Sequence, residues 1–403
     1  MGFNIWTDCP KVPITQLLEF IVDNRGKTVP TATSGHILIA TNCVTNNTLF
    51  PVYEKVRYLS DETYRTWFRA HPIPGDILFV NKGTPGRVCM VPDPIDFCIA
   101  QDMIALRADN AKIYNKYLFA VLRSREIQQQ IYNTNVGDVI PHFKKQFMDQ
   151  LLIPVPDRKV QEAIGDLYYA LSYKVEHNKK INDNLYAQAR AIVKQWVVEN
   201  EGSYELLPLS EVAEINPDAY SPKEGWEYVN YLDTSSITDG CIGEIQRINP
   251  SVDKLPSRAR RKVVPNDVVF STVRPNQRHF GLISRPLPNM LASTGFAVIR
   301  SRNPAVCNEL IYLCLTENAF IEKMQQLAEQ STSTFPSIKP SDLGTCEIPC
   351  PKKIDSSDLT ETLKAMFTLI ATNQHENHVL AELRDTLLPQ LMSGEIDVSS
   401  IDY

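Results

Sequence analysis

The sequence predicts an α+β chain: two tandem mixed α/β domains separated by an antiparallel pair of long coiled-coil helices, with pseudo-twofold internal symmetry. Three observations predict it. The chain repeats itself at a near-constant offset, each half holds short β-branched runs broken by Pro, Gly and Asn, and each half ends in a long seam-patterned helix. The expected boundaries are 1–156 for the first domain, 157–200 for the central helix, 201–351 for the second domain, and 352–403 for the C-terminal helix and tail.

The repeat is read from markers that keep their spacing. Pro141 stands opposite Pro336, and Ile153-Pro154 opposite Ile348-Pro349, each 195 positions on (336 − 141; 348 − 153). The same offset pairs Pro13 with Pro208, Asn178 with Asn373, and Leu185 with Leu380. The middles agree with small gaps. "IPGDILFVNKGTPGRVCMV" aligns with "VPNDVVFSTVRPNQRHFGLI", so Pro74, Asp76 and Phe79 fall opposite Pro265, Asp267 and Phe270. "QDMIALRAD" aligns with "STGFAVIRS". Single matches arise by chance, but conserved order over nearly the whole chain is much harder to obtain that way.

Each domain needs strands and a helix. "DILFV", "DVVFS" and "FAVIR" are short runs of strand-forming residues between turn residues. "NKYLFAVLRSREIQQQIY" and "ELIYLCLTENAFIEKMQQLAE" each carry helical periodicity. The first long helix is expected over 159–198, with seam positions Ile164, Leu167, Leu171, Val175, Asn178, Ile181, Leu185, Ala189, Ile192 and Trp196. The second repeats the pattern at Leu359, Leu363, Met366, Ile370, Asn373, Asn377, Leu380, Leu387 and Leu391. Forty helical residues rise about 60 Å. An Asn in a seam costs stability and fixes register; a solvated face on a drifting pattern is the other reading of Asn178 and Asn373. Connectivity sends the second helix back along the first, with a domain at each end of the rod. Such a device presents two similar surfaces in inverted orientation, which is the symmetry of duplex DNA.

Composition excludes several classes. The 403 residues are 43% hydrophobic and 22% charged, an ordinary globular balance. No run of eighteen apolar residues predicts a membrane span, and "MGFNIWTDCP" has neither the basic nor the apolar region of a signal peptide. Nine scattered cysteines point to a reducing cytosol. A net charge of −6 requires any DNA contact to use local basic patches or a partner's surface. Nucleotide-binding glycine loops, the Asn-Pro-Pro-aromatic motif of adenine methyltransferases, a G-x-S-x-G elbow and a C-x-x-C pair are all missing. Cys346 and Cys350 read as buried small residues at a strand end, and His375 and His378 as polar positions on a helix. No catalytic residue, cofactor or metal is expected.

The "PGDILFVNKGTPGR" strand and loop, the "IPVP" and "IPCP" domain ends and the closing "LRDTLLPQLMSGEI", in duplicated domain–helix order, resemble the specificity (S) subunits of type I restriction–modification systems. The resemblance covers essentially the whole chain. It implies a noncatalytic subunit whose two target recognition domains each read one half of a bipartite, asymmetric site on double-stranded DNA. The helices would space the halves and dock DNA adenine methyltransferase subunits, expected to be two. Restriction–translocase subunits are a further class of partner that the resemblance implies.

Candidate DNA contacts follow from residue type and setting. Phosphates attract Lys and Arg, while base edges take Arg, Lys, Asn or Gln. Asn81, Lys82, Thr84 and Arg87 occupy a Gly/Pro-rich loop after an apolar strand. The matching second loop holds Arg274, Asn276, Gln277 and Arg278, but "TVRPNQRHFG" lacks the loop glycine, so its shape does not follow from the first. "KLPSRARRK" gathers Arg258, Arg260, Arg261 and Lys262, and "HFKKQF" adds Lys144 and Lys145. A solvated charged loop is the plain alternative for each. Tyr64, Trp67 and Phe68 read as core. Asn178, Leu185, Ile192, Trp196, Asn373, Leu380, Leu387 and Leu391 are the expected spacer-helix and partner-docking residues. The competing reading is a two-headed coiled-coil scaffold that binds proteins and not DNA.

Overall fold

The structure, a computed structural model, describes residues 3–24, 28–134, 141–331, 335–352 and 357–396. The chain divides into two compact units, one of 1–179 with 375–403 and one of 180–374, so each long helix contributes to both. Among the described residues no helix is long and apolar enough to cross a membrane.

The first unit is built on two sheets of three or more strands, with the pair Lys11–Pro13 and Leu152–Pro154 beside them. The larger has the strand order Leu18–Val22, Met103–Ala108, Ile77–Val80, Val88–Met90, with every neighbour antiparallel. The smaller places His36–Ile39 between Arg57–Leu59, antiparallel, and Phe97–Ile99, parallel. Ile77, Phe79, Ile104 and Leu106 of the larger sheet pack on Tyr117, Leu118 and Phe119 of helix Asn115–Arg123. Burial of each such side chain contributes about 1.5–3 kcal/mol. Tyr64, Trp67 and Phe68 pack against Val29, Leu38 and Leu59, as core residues should.

The second unit repeats this plan. Its larger sheet runs Ala213–Ile215, Phe296–Ser301, Asp267–Ser271, Phe280–Ile283. The pairing register follows the sequence repeat. Val12 faces Ile153 in the first unit, and Leu207 faces Ile348 in the second, each partner 195 positions on (207 − 12; 348 − 153). The parallel pair Ile37–Phe97 recurs as Asn230–Met290, 193 positions on (230 − 37; 290 − 97). The second unit adds strands: Ala259–Lys262, the "ARRK" run, edges its other sheet beside Met290–Ser293, and Ile237–Thr238 pairs with Cys241–Ile242.

Two expectations need correcting. The helical stretch in each half is two helices. Ser124 ends Asn115–Arg123, and its Oγ accepts from the Ile127 amide to cap Arg125–Asn133. Thr316 and Glu317 separate Asn308–Leu315 from Asn318–Glu329, there without a side-chain cap. The seam is also shifted by a residue around the asparagines. Asn182 is buried where Ile181 was expected, because a straight helix drifts against a heptad repeat.

The long helices Arg158–Glu199 and Ser357–Ser393 pair inside each unit. In the first unit Asn178 Nδ2 donates to Asn377 Oδ1 at 3.0 Å and to Glu376 at 2.7 Å. In the second Asn373 Nδ2 donates to Asn182 Oδ1 at 2.8 Å, and Asn182 donates to the Ile370 carbonyl. The two bridges are copies, since 178 + 195 is 373 and 182 + 195 is 377. Within each unit the pairing is antiparallel, and the Asn pair admits one register because any slip strands a buried amide. Gly165 lets the first helix dock on its head: a Cβ there would lie 2.6 Å from the Tyr117 amide nitrogen. Gln161 completes the joint, accepting from the Tyr114 amide and donating to the Pro156 carbonyl.

Candidate nucleic-acid interface

Each unit aims one loop from the central strand of its larger sheet, and a buried ion pair fixes that strand. Asp76, 1% exposed, takes Arg107 through both carboxylate oxygens at 2.9 and 3.0 Å and also accepts from the Ile73 amide. Asp267 repeats every bond with Arg300, at 2.8 Å twice, and with the Val264 amide. Hydrogen bonding to the carboxylate pushes both guanidinium pKa values further up, so both arginines stay charged.

In the first unit the loop closes through Gly86 N to the Val80 carbonyl and Val80 N to the Arg87 carbonyl, both 2.9 Å. Gly83 N donates to the Pro141 carbonyl and Phe143 N to the Asn81 carbonyl, which tie the loop to the segment carrying Lys144 and Lys145. Five predicted residues are thereby brought together at the surface: Lys82, Thr84, Arg87, Lys144 and Lys145. Lys82 lies 3.8 Å from Asp102, and Lys145 pairs with Asp23 at 3.4 Å. Asn81 is different. Its side chain is buried at 2% exposure beneath the loop, and neither amide atom has a partner among the described residues. Gly86 (φ +91°) cannot be replaced cheaply, because a Cβ would sit 2.9 Å from Gln128 Oε1 and 3.2 Å from Ile131.

The second loop keeps the frame and changes the backbone code. Ser271 N donates to the His279 carbonyl, Arg274 N to the Pro336 carbonyl and Ile338 N to the Thr272 carbonyl, the counterparts of the first unit's bonds. One added residue makes a short 3₁₀ turn, Pro275–Gln277, flanked by Arg274 (φ 48°) and Arg278 (φ 58°). Two arginines therefore hold left-handed conformations where the first unit has Gly83 (φ 86°) and Gly86. That conformation costs an L-residue about 1–2 kcal/mol, and such outliers persist where the surroundings fix them. The surroundings do so here. Arg278 is held by Asp239 at 3.2 Å and Asn318 at 3.1 Å, and the Asn276 amide donates to Gln325. Arg274 lies over the Phe335 ring, 5.1 Å from its centroid, while Asn276 and Gln277 face solvent.

The basic run divides. Lys262 is engaged by Glu224 at 2.8 Å and Asp218 at 3.6 Å, and the Arg261 Nε is buried without a hydrogen-bond partner among the described residues, its guanidinium pKa pulled down by burial. Arg260 Nε turns to the Ser257 carbonyl. Arg258 is exposed and adjoins the loop base: its carbonyl accepts from Thr294, and the next residue's carbonyl, on Gly295, accepts from Thr272. Lys339, exposed and 195 positions beyond Lys144 (339 − 144), occupies the same place in the second unit. The sequence reading missed it, although the offset pointed there.

The predicted helix residues turn mostly inward. Leu185, Ile192 and Trp196 pack on the second unit's core, and Leu387 and Leu391 on the first's; Leu380 is half-buried. Tyr173, Val198, Leu369, Val379 and Leu383 are exposed large apolar positions on these helices that the reading did not select for docking. Cys346 and Cys350 are buried, with the Cys346 thiol raised to about 12 by desolvation.

Two copies of one frame, each lifting a polar and basic loop, define a duplicated recognition protein. Residues 26–187 match the family model of the type I restriction modification DNA specificity domain. The chain is 22% identical to the HindI specificity subunit of Haemophilus influenzae, over 80% of this chain and 86% of the relative. It is also 22% identical to the MjaIX specificity subunit of Methanocaldococcus jannaschii, over 72% and 71%. A crystal structure of the type I restriction–modification S subunit from M. genitalium shares the fold, with a TM-score of 0.55, 15% identity and 95% of each chain covered. Residues 26–187 thus carry the domain of that family, and the chain as a whole is similar to the specificity subunits of type I restriction–modification systems. These similarities imply DNA and a methyltransferase as partners and a noncatalytic role for the chain.

Proposed function

We propose that each unit reads one half of a bipartite, asymmetric DNA site through its loop and the segment tied to it. In the first unit Lys82, Thr84, Arg87, Lys144 and Lys145 make the contacts; in the second, Arg258, Arg274, Asn276, Gln277 and Lys339 do. The single observation that carries this is the pairing of an invariant frame with divergent loop side chains. Identical anchors, Asp76–Arg107 and Asp267–Arg300, support "NKGTPG" in one unit and "VRPNQR" in the other. A structural loop gains nothing from diverging on a fixed anchor, whereas a base reader must. The long helices set the half-site spacing and dock two methyltransferase subunits, and a restriction–translocase joins the complex in a cytoplasmic setting.

The test uses the chain assembled with its methyltransferase. Plotted log–log against salt, DNA affinity falls linearly if phosphates are neutralised. Four residues inserted between Lys179 and Lys180 change the spacer length of the methylated motif. Salt-independent association, as a protein-binding scaffold would show, or an unchanged spacer, contradicts the reading.

A further inference from the structure

We propose that Arg274 is the base-reading side chain of the second unit, that Phe335 sets its guanidinium, and that Arg278 is a positioning residue. The ligand is the O6/N7 edge of a guanine in the major groove, so that half-site contains a G·C pair read by Arg274. This rests on the reading of the chain as a DNA specificity subunit, and assigns the roles within one loop.

The two arginines look alike in sequence and differ in setting. Arg278 has both ends of its fork occupied, by Asp239 and by Asn318, and its guanidinium carbon lies 5.3 Å from the Phe280 ring centroid. It staples the loop to helix Asn318–Glu329 and to the turn at Asp239. Among the described residues no carboxylate pairs with Arg274. Its neighbour is the face of Phe335, a ring left 55% exposed. An aromatic face holds the guanidinium plane while leaving the N–H edge open, which is the presentation a bidentate base contact needs.

The backbone points the same way. Arg274 holds a left-handed conformation immediately before Pro275, a position doubly unfavourable for a residue with a Cβ. Its counterpart Gly83 shows that the frame accepts glycine there, with open space around the Cβ position. A side chain kept where glycine fits better is kept for what it contacts. Both its flanks are pinned, by Arg274 N to the Pro336 carbonyl and Gln277 N to the Arg274 carbonyl, at 2.9 Å each. The Cα that carries the fork is therefore fixed without any help from the side chain.

The experiment compares Arg274→Gly, Arg274→Lys and Phe335→Leu in the full chain assembled with its methyltransferase. Methylome sequencing gives the motif, and competition among duplexes carrying each base at each position gives discrimination. Arg274→Gly is expected to lose about ten- to a hundredfold discrimination at one G·C pair of one half-site. The other half-site and the spacer stay intact, and the melting temperature is unchanged or raised. Arg274→Lys keeps overall affinity but relaxes the same position, and Phe335→Leu relaxes it partly. An unchanged motif in Arg274→Gly overturns the proposal. So does a fully retained motif in Arg274→Lys, which makes the contact a phosphate, or failure of Arg274→Gly to assemble, which makes the residue structural. The double variant Asn276→Ala/Gln277→Ala separates the levels. If it alters the motif while Arg274→Gly does not, only the role of Arg274 fails; if neither does, DNA reading by this loop fails as well.

Discussion

The loops at 81–87 and 272–279 occupy the same place in their units and reach it by opposite means. The first turns on Gly83 and Gly86, whose positive φ costs little. The second turns on Arg274 and Arg278, held left-handed by backbone bonds to Pro336, by Asp239 and by helix Asn318–Glu329. What is preserved is the anchor beneath and the tie to the following segment; what changes is the side chains presented. The difference teaches that the frame carries stability and the loop carries selection, and that the second unit gives up local conformational energy to place two guanidinium groups.

Four groups of substitutions sharpen or break this comparison, and chemical denaturation of the full chain checks the stability change in each. The largest effect falls on the shared anchor. Asp76→Ala and Asp267→Ala should each cost about 3 kcal/mol, since each strands a bonded Arg and a backbone amide. Unequal losses would show that the frames are not equivalent. Next, Gly86→Arg should cost about 2–3 kcal/mol through collision with Gln128 and Ile131, whereas Gly83→Arg, with open space around it, should cost about 1 kcal/mol. Third, Asn373→Ala leaves Asn182 buried without its partner and should cost about 1.5 kcal/mol. Replacing both by Leu should restore stability while loosening register, visible as a broadened set of spacer lengths in the methylated motif. Smallest, Arg274→Gly should raise stability by about 1 kcal/mol by relieving the left-handed conformation.

Much of this was legible in the residues. The 195-residue offset follows from Pro141 and Pro336, Asn178 and Asn373, and the strand register of Val12–Ile153 and Leu207–Ile348 keeps it. Asp76 and Asp267 stood out as matching positions, but their purpose did not, because Arg107 and Arg300 join them only when antiparallel strands bring distant residues side by side. The short interruptions at Ser124 and Thr316 were hidden inside helical periodicity on both sides. Lys262 looked like a phosphate ligand until Glu224 and Asp218, far off in sequence, were seen to engage it. Asn81, chosen for its place in a polar loop, lies under that loop because it continues the strand Ile77–Val80, which is buried on both faces. The left-handed arginines had no sequence signal at all, since nothing in "TVRPNQRHFG" announces a conformation that glycine usually supplies.

The measurement that bears most directly on the account is a loop exchange. Residues 273–278 of the second unit are replaced by the first unit's 82–86 sequence, and the methylated motif of cells carrying the complete complex is sequenced. One half of the motif should change while the other half and the spacer remain. A motif that is untouched, or altered in both halves at once, would contradict it.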